Sequence, residues 1–204
     1  MNPHTILAFI TVTASIAVFQ NRNLLDKFVM YPYIMVRENQ WYRIITHAFI
    51  HADWAHLLFN IIALWSFGNY VYNVFVWITP IPEIHFYTMY FGAIVFSSIA
   101  DITKQRDNQY YLSLGASGAV SAVIFCAILL DPWTPLYVFF IPCPGIVFGV
   151  IYLIYSNHMS KKGGDRINHD AHFYGAVFGL LYPLIIDSGI YSTFVAKLLH
   201  PNFW

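Results

Sequence analysis

Gly115-Ala116-Ser117-Gly118 opens an apolar run that continues to Leu130, broken only by the hydroxyl of Ser121. Another apolar segment opens with His172 and carries Gly175 and Gly179. His56 and Asn60 stand one helical turn apart near the start of a third. A polar or ionisable side chain inside a membrane span is expensive, so groups of this kind at span entrances read as functional by default. Together they predict a hydrolase whose nucleophile works below the membrane surface.

Composition supports the membrane part of that reading. Of 204 residues, 58% are hydrophobic, 19% aromatic and 10% charged, against about 25% charged in an ordinary soluble domain. Formal net charge is zero and no basic stripe or tail is present, which argues against nucleic acid as a partner. Cys126 lies in an apolar run and Cys143 lies between two prolines, so both read as free thiols. The N-terminal stretch Ile6–Phe19 is short, with Ser15-Ile16-Ala17 as a weak cleavage pattern. No Lys or Arg precedes it, whereas a secretory signal needs a basic start, so a retained first span is expected.

A helical span needs about 20 mostly apolar residues. Six segments are candidates: 5–20, 54–78, 84–100, 112–130, 136–156 and 171–186. The expected fold is an all-α membrane protein, one domain over 1–204, with six transmembrane helices and a long first loop. That loop, Asn21 to Asp53, mixes Trp41, Tyr42, Ile44, Ile45, Phe49 and Ile50 with Arg37 and Arg43, which suits a segment lying in the interface. With six spans, the loops 21–53, 101–111 and 157–170 fall on the side where Ser117, His172 and His56 enter.

At a helix start, Ser117 would sit among unpaired backbone N–H groups and the positive end of the helix dipole, both suited to an oxyanion. Gly115 permits unusual dihedrals, and Gly118 clears room beside the serine. Small residues also let membrane helices touch, so the motif alone reads first as packing, and His172 changes that weighting. His172, Gly175 and Gly179 share one helical face, as do Ser117 and Ser121. Two small-residue faces can approach as closely as a serine–histidine hydrogen bond requires. Asp170, two residues before His172, would point elsewhere on a helix, so a Ser117–His172 dyad is favoured over a triad. His56 and Asn60 share a face of the second span and could both donate to an oxyanion. His47, His51 and His56 lack a carboxylate or cysteine at ligand spacing, and no metal or cofactor is expected.

These residues resemble the rhomboid intramembrane serine proteases over most of the chain. The matching pieces are Tyr42-Arg43, His47-Ala48-Phe49-Ile50-His51, His56-Leu57-Leu58-Phe59-Asn60, Gly115-Ala116-Ser117-Gly118, Ala171-His172-Phe173-Tyr174-Gly175 and Gly179. The resemblance implies a six-helix core with a Ser117–His172 dyad and an oxyanion hole from His56, Asn60 and the Ser117 backbone N–H. It implies cleavage within or beside transmembrane segments of membrane proteins in the bilayer. Two features depart from the family. Four residues after the nucleophile, where relatives often pack an aromatic ring on the catalytic histidine, this chain has Ser121. Its Tyr42-Arg43 replaces a Trp-Arg pair, with Trp41 displaced. The alternatives are an inactive relative that binds transmembrane segments, or a small transporter. The latter is disfavoured by the lack of internal symmetry.

The resemblance places the protein in the bacterial inner (plasma) membrane, with the site extracytoplasmic and both termini cytoplasmic. Charge points the other way. Arg22, Lys27, Arg37, Arg43, Lys104, Arg106, Lys161, Lys162 and Arg166 all lie in the loops of the site side, with only Lys197 opposite. The family orientation is the expectation retained, since the charge rule is statistical while the fold fixes the site to one face; cations paired with Asp26, Glu38, Asp107 or Asp165, or anchoring the interfacial segment, would also weaken the count.

Overall fold

Along Trp54–Ile78 the buried positions are Leu57, Asn60, Leu64, Gly68, Val71 and Phe75, spaced by threes and fours as one stripe of an α-helix. The opposite face exposes Leu58, Phe59, Ile62, Trp65 and Trp77. Large apolar side chains on both faces suit a helix solvated by lipid, where the inward face is distinguished by packing and small residues.

The computed structural model describes residues 1–138, 141–162 and 167–201. In chain order these form α1 (Pro3–Gln20), α2 (Arg22–Phe28), α3 (Pro32–Glu38), α4 (Arg43–Thr46) and a 3-10 turn at His47–Phe49. Next come α5 (Trp54–Ile78), α6 (Pro82–Gln105), α7 (Ser117–Leu130) and the strands β1 (Pro135–Val138) and β2 (Ile141–Pro144). The chain continues with α8 (Gly145–Lys162), α9 (His169–Leu181), α10 (Pro183–Ile186) and α11 (Gly189–Leu199). Among the described residues, three helices, α1, α5 and α6, are long and apolar enough to cross a membrane. The α9–α10 segment with α11, bent by 118°, makes up to a fourth.

Several boundaries differ from the sequence reading. The fourth segment becomes helical at Ser117, not at 112, because Ser113 pairs through its backbone with Met30 and Gly115 takes φ 114°. The fifth starts at Gly145, not 136, and runs on to Lys162. Pro135, Pro142 and Pro144 deny helical amide hydrogens, and the stretch pairs instead as an antiparallel hairpin, Pro135 opposite Pro144. The fold is therefore mostly helical but not all-α. The sixth begins at His169, capped by Asn168, and breaks before Pro183. The third extends past both expected ends, from Pro82 to Gln105.

The first loop is a block of short helices. Its centre is Arg43, buried, which donates to the carbonyls of Asp26 (2.7 Å) and Val29 (2.8 Å) and to Gln40 Oε1 (2.6 Å). Trp41 and Tyr42 stay half-exposed beside it.

At the centre of the bundle, α7 is apolar and buried on nearly every face. Its densest packing is against α9. A Cβ on Gly175 would overlap the Gly118 carbonyl, and one on Gly179 would overlap the Ala122 carbonyl. The two helices therefore meet backbone to backbone, twice, in parallel register. Gly179→Ala should destabilise the protein by about 1–3 kcal/mol, the usual range for overpacking, because its new neighbour is main chain that cannot rotate away. Gly149→Ala, whose Cβ would meet only side chains at 3.3–3.8 Å, should cost less. Thermal unfolding in detergent compares the two.

Candidate active site

The contact between α7 and α9 fixes where Ser117 and His172 fall. Ser117 immediately precedes Gly118, and His172 stands one turn before Gly175. With those glycines in backbone contact, the two side chains occupy adjoining first turns of parallel helices. Asp170 is turned away, as the helical spacing predicts: it accepts from Lys104 Nζ at 2.8 Å and from the Ser160 hydroxyl.

The loop leading to Ser117 is held from below by the first loop. Gly115 N–H donates to the His47 carbonyl at 2.9 Å. Ala116 N–H donates to His51 Nε2 at 3.4 Å. Ser15 Oγ donates to the Phe49 carbonyl and so accepts from His51 Nδ1–H at 3.0 Å, which leaves Nε2 as the acceptor. His47 Nε2 meets Ser98 Oγ at 3.1 Å, and Ser98 donates to the Ile94 carbonyl. Glycine is required at 115 twice over: its φ is positive, and a Cβ there would meet the His56 imidazole at 2.6–2.8 Å. His56 thus lies against the turn that delivers the serine. Asn60 is buried one turn further along α5, where its Nδ2 donates to the His56 carbonyl at 2.9 Å. One amide hydrogen of Asn60 is thus spent on its own helix.

Tyr152 of α8 stacks on His172, with ring centroids 6.0 Å apart and planes 23° apart. Its hydroxyl is 2.7 Å from Ser121 Oγ, and Phe125 and Phe148 flank its ring. The aromatic missing at position 121 is thus supplied by another helix. Tyr174 packs elsewhere, against Phe96 and Phe173. No spacing signal in α8 singled out Tyr152 beforehand.

Sequence reasoning also missed the polar cluster beside these residues. Asn168 caps α9 by accepting from Ala171 N–H at 2.9 Å, and its amide donates to Asp101 and to Ser113 Oγ. An asparagine just ahead of an apolar helical run is a helix-start signal and could have been noticed. Burial, reinforced by the Asp101 carboxylate, pushes the neighbouring Tyr111 phenol well above its usual range. All three polar connections meet here: Tyr31 reaches the Gln109 carbonyl, Arg37 the Arg106 carbonyl, and Lys104 reaches Asp170.

The two histidines beneath the loop are held neutral. Burial pushes His47 down to about 4 and His51 down to about 3. An unfolded chain would take up protons below about pH 6.5 that the folded chain refuses, so stability falls as pH drops from there towards 4. Each refused proton contributes a slope of about 1.4 kcal/mol per pH unit. His51→Gln, which keeps one donor and one acceptor, should remove about one proton from that slope. Unfolding midpoints between pH 7 and 5 measure it, and an unchanged slope would show that His51 is not one of the refused protons.

A profile of the Rhomboid domain matches residues 38–188. Rhomboid protein 1, mitochondrial, of Saccharomyces cerevisiae is 28% identical over 167 residues, covering 79% of this chain and 46% of its own length. RHOMBOID-like protein 12, mitochondrial, of Arabidopsis thaliana is 30% identical over 170 residues, covering 74% and 49%. Rhomboid protease GluP of Bacillus subtilis is 33% identical over 86 residues, covering 42% and 15%. The chain spans less than half the length of each of these relatives. Since the domain match takes in Ser117, His172, His56, Asn60 and the glycines that join α7 to α9, the chain is a multi-pass membrane protein that belongs to the rhomboid family.

Proposed function

We propose that this protein is an intramembrane serine endopeptidase that cuts transmembrane segments of membrane proteins with a Ser117–His172 dyad, in a six-helix core. The observation that carries the reading is the double backbone contact of α7 and α9, which sets the serine and the histidine on adjoining helix starts. His172 takes the Ser117 proton as Oγ attacks the scissile carbonyl, giving a tetrahedral oxyanion. The Ser117 backbone N–H, Asn60 and His56 donate to that oxyanion. As it collapses, His172 gives its proton to the leaving amine, and an acyl-serine remains. Water then attacks the ester, again with His172 as base, and releases the acid. No cofactor takes part. A helix of 14 residues rises about 21 Å, less than a bilayer core of about 30 Å. That supports a serine recessed below the surface, within reach of water from the loop-rich end.

Ser117→Ala and His172→Ala should each abolish cleavage of a reporter transmembrane segment by the purified chain without lowering its unfolding midpoint. The double variant should be no worse than either single, because members of a catalytic unit are non-additive. A mechanism-based serine inhibitor should label the parent chain and not Ser117→Ala. Sustained turnover by Ser117→Ala would end the serine mechanism.

The loop-rich end faces the extracytoplasmic side in this reading. Four of the cations that oppose it are already engaged: Arg37 and Arg106 with Asp107 at 3.1 and 3.6 Å, Lys104 with Asp170, and Arg43 with backbone carbonyls. Asp26 meets Arg43 through its carbonyl rather than its carboxylate, and Glu38 pairs with Gln40. Arg166 and Asp165 lie outside the described residues. In a bacterial host, Lys162→Cys in a chain freed of Cys126 and Cys143 should react with a membrane-impermeant thiol reagent in intact cells. Labelling only after lysis would invert the topology.

A further inference from the structure

Ser113 stands four residues ahead of Ser117, and Asn168 stands four residues ahead of His172. The two are joined by a hydrogen bond of 2.9 Å from Asn168 Nδ2 to Ser113 Oγ. We propose that the Asn168 amide, seated on Asp101, is a clamp that sets the approach of His172 to Ser117. Asn168, Asp101 and Ser113 are then positioning residues for the reaction. The proposal deepens the protease reading above and rests on it.

The amide is used almost to capacity. One Nδ2 hydrogen goes to Asp101 and the other to Ser113, while Oδ1 accepts the Ala171 N–H. The Asn168 carbonyl also accepts the backbone N–H of His172, at 3.2 Å. The histidine therefore hangs on Asn168 through its own main chain. On the other side, Ser113 is fixed by a reciprocal backbone pair with Met30, N to O at 2.9 and 3.0 Å. A shift of Asn168 would thus be passed to His172 and would break with Ser113, whose loop runs directly to the serine. Asp101 is 2% exposed near the end of α6. A buried carboxylate needs donors, and Asn168 supplies one that no helix cap requires. One turn on, Lys104 reaches Asp170, so α6 grips the start of α9 at two points. Ser113, Ser117, Asn168 and Ala171 line a single small cavity, with Gly118 and His47. Ser113 and Asn168 therefore border the same cavity as Ser117.

Capping alone does not need an amide, since asparagine and aspartate cap helices about equally well. The clamp does need it, because an acid at 168 would face the buried acid of Asp101 and has no second hydrogen to offer Ser113 as well. Asn168→Asp should therefore lower kcat on the reporter by roughly 10–100-fold, on the scale that a displacement of about 1 Å costs. KM should change less than about two-fold, since uniform binding is untouched. The double exchange Asp101→Asn/Asn168→Asp restores the pair with amide and carboxylate swapped. The new amide at 101 donates to the new carboxylate at 168, which still accepts from Ala171 N–H and can accept from Ser113. This exchange should recover kcat by at least about ten-fold over Asn168→Asp. Parental kcat in Asn168→Asp, or an exchange variant no better than the single, would overturn the clamp. If the parent chain cuts no reporter, the protease reading falls by itself. The clamp is then judged by amide exchange at residues 169–172, which must quicken in Asn168→Asp and slow again in the exchange variant; no change in either variant overturns it.

Discussion

Everything distinctive in this molecule depends on two helices touching through their main chains. Lipid offers no hydrophobic drive to push helices together, so close approach must come from shape. Gly175 on Gly118 and Gly179 on Ala122 supply it. Because the contacts are a turn apart on both helices, register is fixed as well as distance, and the first turns of α7 and α9 arrive side by side. A serine and a histidine placed there need no long side chain to reach each other. The same contact explains why α7 can be apolar on every face: it is the core around which α5, α6 and α9 pack.

The second constraint is that polar groups near a bilayer must find partners within the protein. The first loop solves this by folding into a platform. Arg43 ties its strands of chain together through carbonyls, while the His47 carbonyl and the His51 Nε2 each accept an N–H from the turn before Ser117. A neutral imidazole suits His51 to that task, since one nitrogen donates and the other accepts. Protonation of His51 would set a donor against the Ala116 N–H, so the burial that keeps it neutral also keeps the serine turn in place.

Much of this was legible from residue spacing. The stripe His172-Gly175-Gly179 and the quartet Gly115–Gly118 announce a close helix pair, because small residues three and four apart define a face. The span 54–78 has the ends that its apolar run predicts, and the structure adds Asp53 as its cap, accepting from His56 N–H. The hairpin at Pro135–Pro144 was hidden, because its residues are as apolar as a span and only the prolines argue against helix. The start of α7 was placed too early for a related reason: Leu112 and Leu114 look helical until the backbone of Ser113 is seen paired with Met30. Asn168, Asp101 and Ser113 come from three separate parts of the chain, and no local pattern links them.

The exchange between Ser121 and Tyr152 shows what a site of this kind specifies. A ring on His172 can arrive from the helix of the serine or from α8, because stacking depends on the plane of the ring and not on the backbone that carries it. What must change together is volume. An aromatic side chain at 121 would fill the space that the Tyr152 ring occupies, so the small residue on α7 and the large one on α8 are a matched pair. The Ser121 hydroxyl adds a constraint that a plain alanine would not, holding the phenol oxygen at 2.7 Å and with it the tilt of the ring. The apparent gap in the sequence motif is therefore half of a two-residue solution, and its other half is readable only once α8 is seen lying across α7 and α9.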